Sequence, residues 1–355
     1  MEERILVTIP VRNKRYVEEE LSLVKTVYNN SVLETIFTRK VNPKYYLTKP
    51  LIDKLREDKS IKKIVIMDLL KPRHFINLYR ILRREVIDRM QLILEIFALH
   101  AGSREALLQI ELARLRHQLP LIKETIRYAK LGELHGFLGG GRYGYEKYYT
   151  MAKKRMARIK RELEELRRIR EIRRKARERL GYPHVALVGY TCAGKTTLFN
   201  YLTRQYKPAG PEPFTTLTPK AGAILHKGVK LIVVDTVGFI RDIPHEIIEA
   251  FYATLSEIID SNVIINIIDS SKDIEDVVVE VRETTRILRN IGVHGKPVVY
   301  ALNKIDRVDR EHLSSVISVL EERLGIDSDK LIPISAYKGL NIDVLLDNIV
   351  SMLKK

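Results

Sequence analysis

Residues 184–202, HVALVGYTCAGKTTLFNYL, constrain this chain more than any other stretch. An apolar run leads into Gly189-Tyr190-Thr191-Cys192-Ala193-Gly194-Lys195-Thr196, and Thr197 opens a helix-forming segment. The spacing is G-x-x-x-x-G-K-[ST], with strand before and helix after, the context that gives the pattern its meaning. Backbone N–H groups of such a loop, and of the helix N-terminus behind it, converge on a polyphosphate. Lys195 adds a point charge for the β- and γ-phosphates, and the Thr196 hydroxyl can ligate Mg²⁺. A buried strand feeding a helix in this way implies an α/β fold.

The rest of residues 181–355 agrees. KLIVVD, NVIINIIDS, PVVYALNK and KLIPIS are near-continuous apolar runs, as strands buried on both faces of a mostly parallel sheet are. KAGAILHKG is interrupted by polar residues and suits an edge strand paired antiparallel with the next. Asp235-Thr236-Val237-Gly238 closes KLIVVD, and all four are expected to line the nucleotide site. Asp235 would hold Mg²⁺ through water, and the Gly238 N–H would contact the γ-phosphate. Asn303-Lys304-Ile305-Asp306 closes VVYAL at the carboxyl edge, where such sheets bind ligands. A carboxylate there accepts from N1–H and from the exocyclic amine of guanine. Adenine offers neither donor, so Asp306 selects guanine by leaving an unpaired charge against the wrong base. Asn303 and Lys304 tie this loop to the P-loop and cover the ring. Ser335-Ala336-Tyr337 offers backbone donors to the guanine carbonyl. In PEPFTTLTPKAG, residues 211–222, a threonine would complete the magnesium shell and register the triphosphate, with Thr215, Thr216 and Thr218 as candidates. After Gly238 stands Phe239, where many P-loop nucleotidases carry a glutamine that orients the attacking water.

Upstream, the chemistry changes. Residues 1–102 alternate short apolar strands (RILVTIP, VLETIFTRK, IKKIVIMD) with amphipathic helices (VEEELSLVKTVY, and PLIDKLRED starting near Pro50), a small α/β domain with no catalytic constellation. Residues 103–180 read as a helical hairpin. Ser103 is an N-cap, and Leu108, Leu112, Leu115, Leu119 and Ile122 form a seam that Pro120 should kink or end. Met156, Ile159, Leu163, Leu166, Ile169, Ile172, Ala176 and Leu180 form the facing stripe of an antiparallel coiled-coil arm. Between the two lies LGELHGFLGGGRYGYEKYY, 131–149, whose six glycines oppose a helix. Its Arg142, Tyr143, Tyr145, Tyr148 and Tyr149 are cation and stacking groups of the kind that order against RNA. Charge follows the same division. Residues 1–180 hold 42 basic and 23 acidic side chains, and residues 181–355 hold 20 and 22, so the whole excess of +17 belongs to the first half. A basic module joined to a neutral one points to a polyanionic partner. One cysteine excludes an internal disulfide and fits a reducing cytosol. No apolar run approaches the roughly 18 residues that span a bilayer, and the N-terminus is no signal peptide. A cytoplasmic monomer is expected.

With these motifs in hand, the sequence resembles the HflX family of translational GTPases over most of its length. The carrying residues are GYTCAGKTTL (189–198), FTTLTP (214–219), DTVGFI (235–240), NKID (303–306) and SAYKG (335–339). The resemblance implies GTP and Mg²⁺ as ligands. Phe214, Thr215 and Thr216 would join the site, with Thr216 sensing the γ-phosphate. Lys195, Thr216 and Gly238 would serve hydrolysis, and Thr196, Thr216 and Asp235 the metal. It also implies a partner, the large ribosomal subunit and its rRNA, met by the arm with 131–149 as its tip. Two departures stand out. Cys192 occupies a position where bacterial relatives place an asparagine that helps hold K⁺, and a thiol is a poor K⁺ ligand. GGGRYG lacks the acidic, glutamine-containing tip pattern of those relatives. Without a water-positioning side chain at Phe239, intrinsic hydrolysis is expected to be slow. Two other functions share part of this pattern: RNA remodelling with nucleotide as a structural ligand, and regulation of a protein or anionic membrane through the basic arm.

Overall fold

In a computed structural model, which describes residues 3–130, 142–178, 181–205, 220–244, 247 and 252–354, each apolar run read above becomes a strand. The first part of the chain runs β1 (Arg4–Pro10), α1 (Val17–Val27), β2 (Val32–Thr38), α2 (Lys49–Glu57), β3 (Ile61–Ile66), α3 (Pro72–Leu82), β4 (Glu85–Asp88) and α4 (Arg89–His100). The strands form an all-parallel sheet in the order β2-β1-β3-β4. Pro50 sits in the first turn of α2, where its missing N–H has no helical partner to lose. Leu6, Ile64 and Ile66 pack against Leu55, Phe75 and Leu78 to make the core on one face. β4 has only four residues, and α4 carries no clear period. α4 buries Met90, Leu92, Ile93, Leu94, Ile96 and Phe97 around most of its circumference, so no polar face marks it as a helix.

α5 (Arg104–Lys130) and α6 (Arg142–Glu178) form the arm. Ser103 Oγ accepts the Ala106 N–H at 3.1 Å, the expected cap. Pro120 does not end α5, which continues to Lys130. The proline is exposed and removes only its own donor, and the flanking turns carry the helix through. The antiparallel pairing is held by two 2.7 Å hydrogen bonds from Arg155 to Glu111 and by Lys130 against Glu146 at 3.4 Å. Leu108, Leu112, Ile122, Ala152 and Ile159 are buried, but Ile169 and Ile172 are exposed, so the stripe stops short of the end of α6. A second correction concerns the tip. Residues 142–149 are helical, because burying Tyr145 (3% exposed) outweighs the helix cost of Gly144. Residues 131–141 lie outside the described residues.

The chain divides into two units, Met1–Leu99 with Leu107–Glu165, and His100–Ala106 with Leu166–Lys355. The second unit contains β5 (His184–Gly189), α7 (Lys195–Thr203), β6 (Lys220–His226), β7 (Val229–Asp235), α8 (Tyr252–Asp260), β8 (Val263–Asp269), α9 (Ile274–Asn290), β9 (Val298–Asn303), α10 (Arg310–Leu324), β10 (Leu331–Pro333) and α11 (Ile342–Leu353). Its sheet has the order β10-β9-β8-β5-β7-β6, parallel except for β6, the expected antiparallel edge strand. Every residue of β8 is buried, as a central strand covered on both faces requires. From β5 the chain first builds β6 and β7 on one side, then β8 to β10 on the other. The carboxyl end of β5 is therefore a topological switch point, where a crevice opens. Among the described residues, no helix is long and apolar enough to cross a membrane.

Candidate functional site

Sheet register brings the motifs together. Leu187 of β5 pairs with Asp235 of β7, Gly189 with Ile267 of β8, and Asp269 of β8 with Asn303 of β9. Four polar or glycine strand ends thus share the carboxyl edge, and Ser335 follows just past β10 on the same side.

The P-loop turns at Gly194, with φ +102°, and opens α7. A Cβ there would lie 2.2 Å from Asn303 Nδ2, so only glycine fits. The asparagine is the reason for that close approach. Its Nδ2 donates to the Ala193 carbonyl at 2.7 Å, and its Oδ1 accepts the Ala336 N–H at 2.9 Å. One buried side chain bolts the phosphate loop to the loop after β10. The Ala336 N–H, read from sequence as a donor to guanine, is committed to this bolt.

Lys195 is buried at the start of α7 and donates to the carbonyls of Gly189 (3.1 Å) and Tyr190 (2.6 Å). Burial drops its amine from the usual lysine value to about 8, with the Asp235 charge opposing the fall. A dry ammonium whose hydrogen bonds run to loop carbonyls, at a helix N-terminus, suits a polyphosphate. The Thr196 hydroxyl donates to Asp235 Oδ2 at 3.0 Å, and Asp235 is fully buried. Hard oxygens side by side at the edge of a phosphate loop match the needs of Mg²⁺, which takes its remaining ligands from phosphate and water.

The segment after β7 closes over this pair. A Cβ at Gly238 would come within 3.1 Å of Lys195 Nζ and 2.8 Å of Thr191 Cγ2, so a side chain there would crowd the lysine. The Thr236 hydroxyl, grouped with the ligand contacts from sequence, donates instead to the Leu187 carbonyl at 2.6 Å, because the residue is turned into the sheet. Val237 is buried beside it. Phe239 is 2% exposed. Its N–H donates to Gly189 O (3.0 Å) and its carbonyl accepts the Thr191 N–H (2.8 Å), a two-bond bridge to the P-loop. Arg241 is buried as well.

At the other end of the crevice, Ser335 Oγ donates to Asp306 Oδ1 at 2.5 Å and holds that carboxyl below the usual aspartate value. Lys304, in a left-handed backbone conformation (φ +67°), donates to Asp269 Oδ2 at 2.5 Å. Asp269 was not singled out from sequence. Its signal is a lone acid ending the near-continuous apolar run NVIINIID, at the same edge as Asp235 and Asn303. Tyr337 is 83% exposed, so its ring forms no wall of the site. Cys192 adopts φ +62°, where a non-glycine residue is strained. Phe214, Thr215, Thr216 and Thr218 lie outside the described residues, as do all threonines proposed to sense the triphosphate.

Comparison with known proteins agrees with this geometry. Residues 184–304 match the family described as 50S ribosome-binding GTPase, residues 100–177 the GTP-binding GTPase middle region, and residues 14–98 the GTP-binding GTPase N-terminal region. The GTPase HflX of Hyperthermus butylicus is 43% identical, with 98% of this chain and 95% of that protein covered. That of Saccharolobus solfataricus is 40% identical over 96% of both. Among solved structures, the SsGBP–GDP complex is 37% identical, covers 99% of this chain and 98% of its own, and superposes with a TM-score of 0.58. A GTP-binding protein of Sulfolobus solfataricus in complex with GDP is 35% identical over 99% of each chain, with a TM-score of 0.53.

Proposed function

This chain belongs to the HflX family of GTPases, and from that premise we propose that it is a slow GTP-driven switch whose nucleotide state sets its binding to the large ribosomal subunit. The observation that carries the reading is the Asn303 bolt, which joins the phosphate loop to the loop that pins Asp306. It supports a site in which residues 189–197 take the phosphates and Asp306 takes guanine. Thr196 and Asp235, with Thr216, would hold Mg²⁺. When bound, Mg²⁺ neutralises charge on the phosphate oxygens.

Lys195 positions the β- and γ-phosphates, and the Gly238 N–H faces the last of them. Phe239 then decides the rate. Its ring is buried and has no polar atom, and its backbone is engaged with the P-loop, so nothing on this residue can align a water. Hydrolysis is slow until a partner supplies the missing group, a contribution of roughly 10³–10⁵ in known GTPases. The basic half of the chain favours RNA as that partner, and the family match over residues 184–304 favours the 50S subunit. Single-turnover hydrolysis with and without purified large subunits tests this. Acceleration of at least about 10³-fold is expected; unchanged turnover with normal GTP binding contradicts the reading.

A further inference from the structure

A cavity of about 660 Å³ lies within the first unit, between the end of α3, the start of β4 and the arm helices α5 and α6. It is far from the P-loop in sequence and no step above uses it. Its volume suits a ligand of nucleotide size. Four aromatic rings line it: Phe75, Tyr79, Tyr145 and Tyr148. Phe75 and Tyr145 are buried, and Tyr148 is 46% exposed at the mouth.

Beyond the rings, the polar groups of the wall are the guanidinium groups of Arg83 and Arg84, the amides of Gln91 and Gln118, and the carboxylate of Glu85. Arg83 and Arg84 follow the end of α3, with Arg83 left-handed (φ +51°) and its guanidinium 5.5 Å from the centre of the Tyr79 ring. Arg84 is fixed by Nη2, which donates to the Asp58 carbonyl at 2.6 Å. Its Nη1 is shielded from solvent with no hydrogen-bond partner among the described residues, and the same holds for Gln91 Oε1 in the same wall. An unpaired donor and an unpaired acceptor are thus held in the same wall as the four rings. Glu85, the one carboxylate of the lining, is paired with Lys63 at 3.1 Å. A purely apolar ligand would leave both orphaned groups unsatisfied. A flat heterocycle with donors and acceptors on its edge, carrying a phosphate toward the arginines, would satisfy rings, amide and guanidinium together.

We propose that this cavity receives one unpaired nucleobase of a single-stranded RNA segment, stacked among Tyr79, Tyr145 and Tyr148 and read on its edge by Arg84 and Gln91. The proposal rests on the reading of RNA as the partner and adds to it a discrete base-binding site on the first unit.

Gly144 makes the test clean. It is helical and lines the cavity, and a Cβ built on it meets nothing within 4 Å. Gly144→Leu should fill the space while favouring the helix. Tyr148→Ala, at the mouth, removes a stacking ring without creating a buried void. The full-length protein and both variants are titrated with a fluorescein-labelled single-stranded RNA decamer, an abasic decamer of equal charge, and a paired duplex. Each variant should bind the decamer about tenfold more weakly, as loss of one stacked base predicts. Abasic and duplex affinities, melting temperature and basal GTP turnover should stay unchanged. Decamer affinity equal to wild type in both variants overturns the site and leaves the RNA partner standing. Competition by AMP or UMP at the decamer's own concentration also overturns it, since a free nucleotide would then be the ligand. Failure of the unaltered protein to bind any of these RNAs removes the partner reading and this site with it.

Discussion

Lys195 shows most plainly what single residues are doing. The free protein holds a desolvated ammonium with its value lowered to about 8, an arrangement that costs stability until an anion arrives. Lys195→Met should therefore raise the melting temperature of the nucleotide-free protein, by the equivalent of about 1–3 kcal/mol, and abolish GTP binding. Calorimetric unfolding and nucleotide titration of the same variant check both halves, and a variant that is less stable and still binds GTP contradicts the argument. In the proposed function, Asp306 acts by selection. Its carboxylate is held ionised by Ser335, ready to accept two guanine donors. Asp306→Asn should lose about 100-fold in GTP affinity, the loss of a charge-assisted pair, and should gain affinity for xanthosine triphosphate, whose C2 carbonyl accepts from the new amide. Competition binding with the two nucleotides reads the exchange directly.

At the level of elements, α3 carries a pH-sensitive start. Lys71 donates its N–H to His74 Nδ1 at 3.3 Å, and His74 Nε2 lies 3.2 Å from the Pro43 carbonyl, so the ring serves as acceptor on one side and donor on the other. Only the neutral imidazole can do both. Burial, the larger cause, and the nearby Arg73 and Lys71 charges lower its value below that of a free histidine. The unfolded chain thus binds the proton more readily, so stability is retained above about pH 6.5 and falls as the pH drops below it. Chemical denaturation from pH 7.5 to 5 should show this loss, and His74→Gln should flatten it; an equal slope in both proteins would assign the loss elsewhere. The same elements show what the sequence made legible. Strands of the second unit announced themselves because a doubly covered sheet needs continuous apolar runs, and the P-loop, DTVG and NKID because each puts glycine or polar residues at fixed spacing where such a run ends. α4 was hidden by being apolar nearly all round, and β4 by having only four residues. The start of α6 was hidden because Gly144 argues locally against a helix that the burial of Tyr145 enforces. Asp269 was missed because its role appears only when β8 and β9 lie side by side and Lys304 reaches across.

For the whole molecule, the governing fact is the separation of charge from chemistry. The first 180 residues carry the entire cationic excess, while the nucleotide-binding features lie in the neutral half. Binding to RNA should accordingly weaken steeply with salt, as phosphate contacts require, and the nucleotide should act by changing affinity and not by forming part of the contact. The most direct measurement is cosedimentation of the chain with purified large ribosomal subunits at several salt concentrations, loaded in parallel with GDP and with a non-hydrolysable GTP analogue. The account predicts retention that is tighter with the analogue at every salt concentration and declines steeply with salt in both states. Equal retention in the two nucleotide states, or retention indifferent to salt, would contradict it.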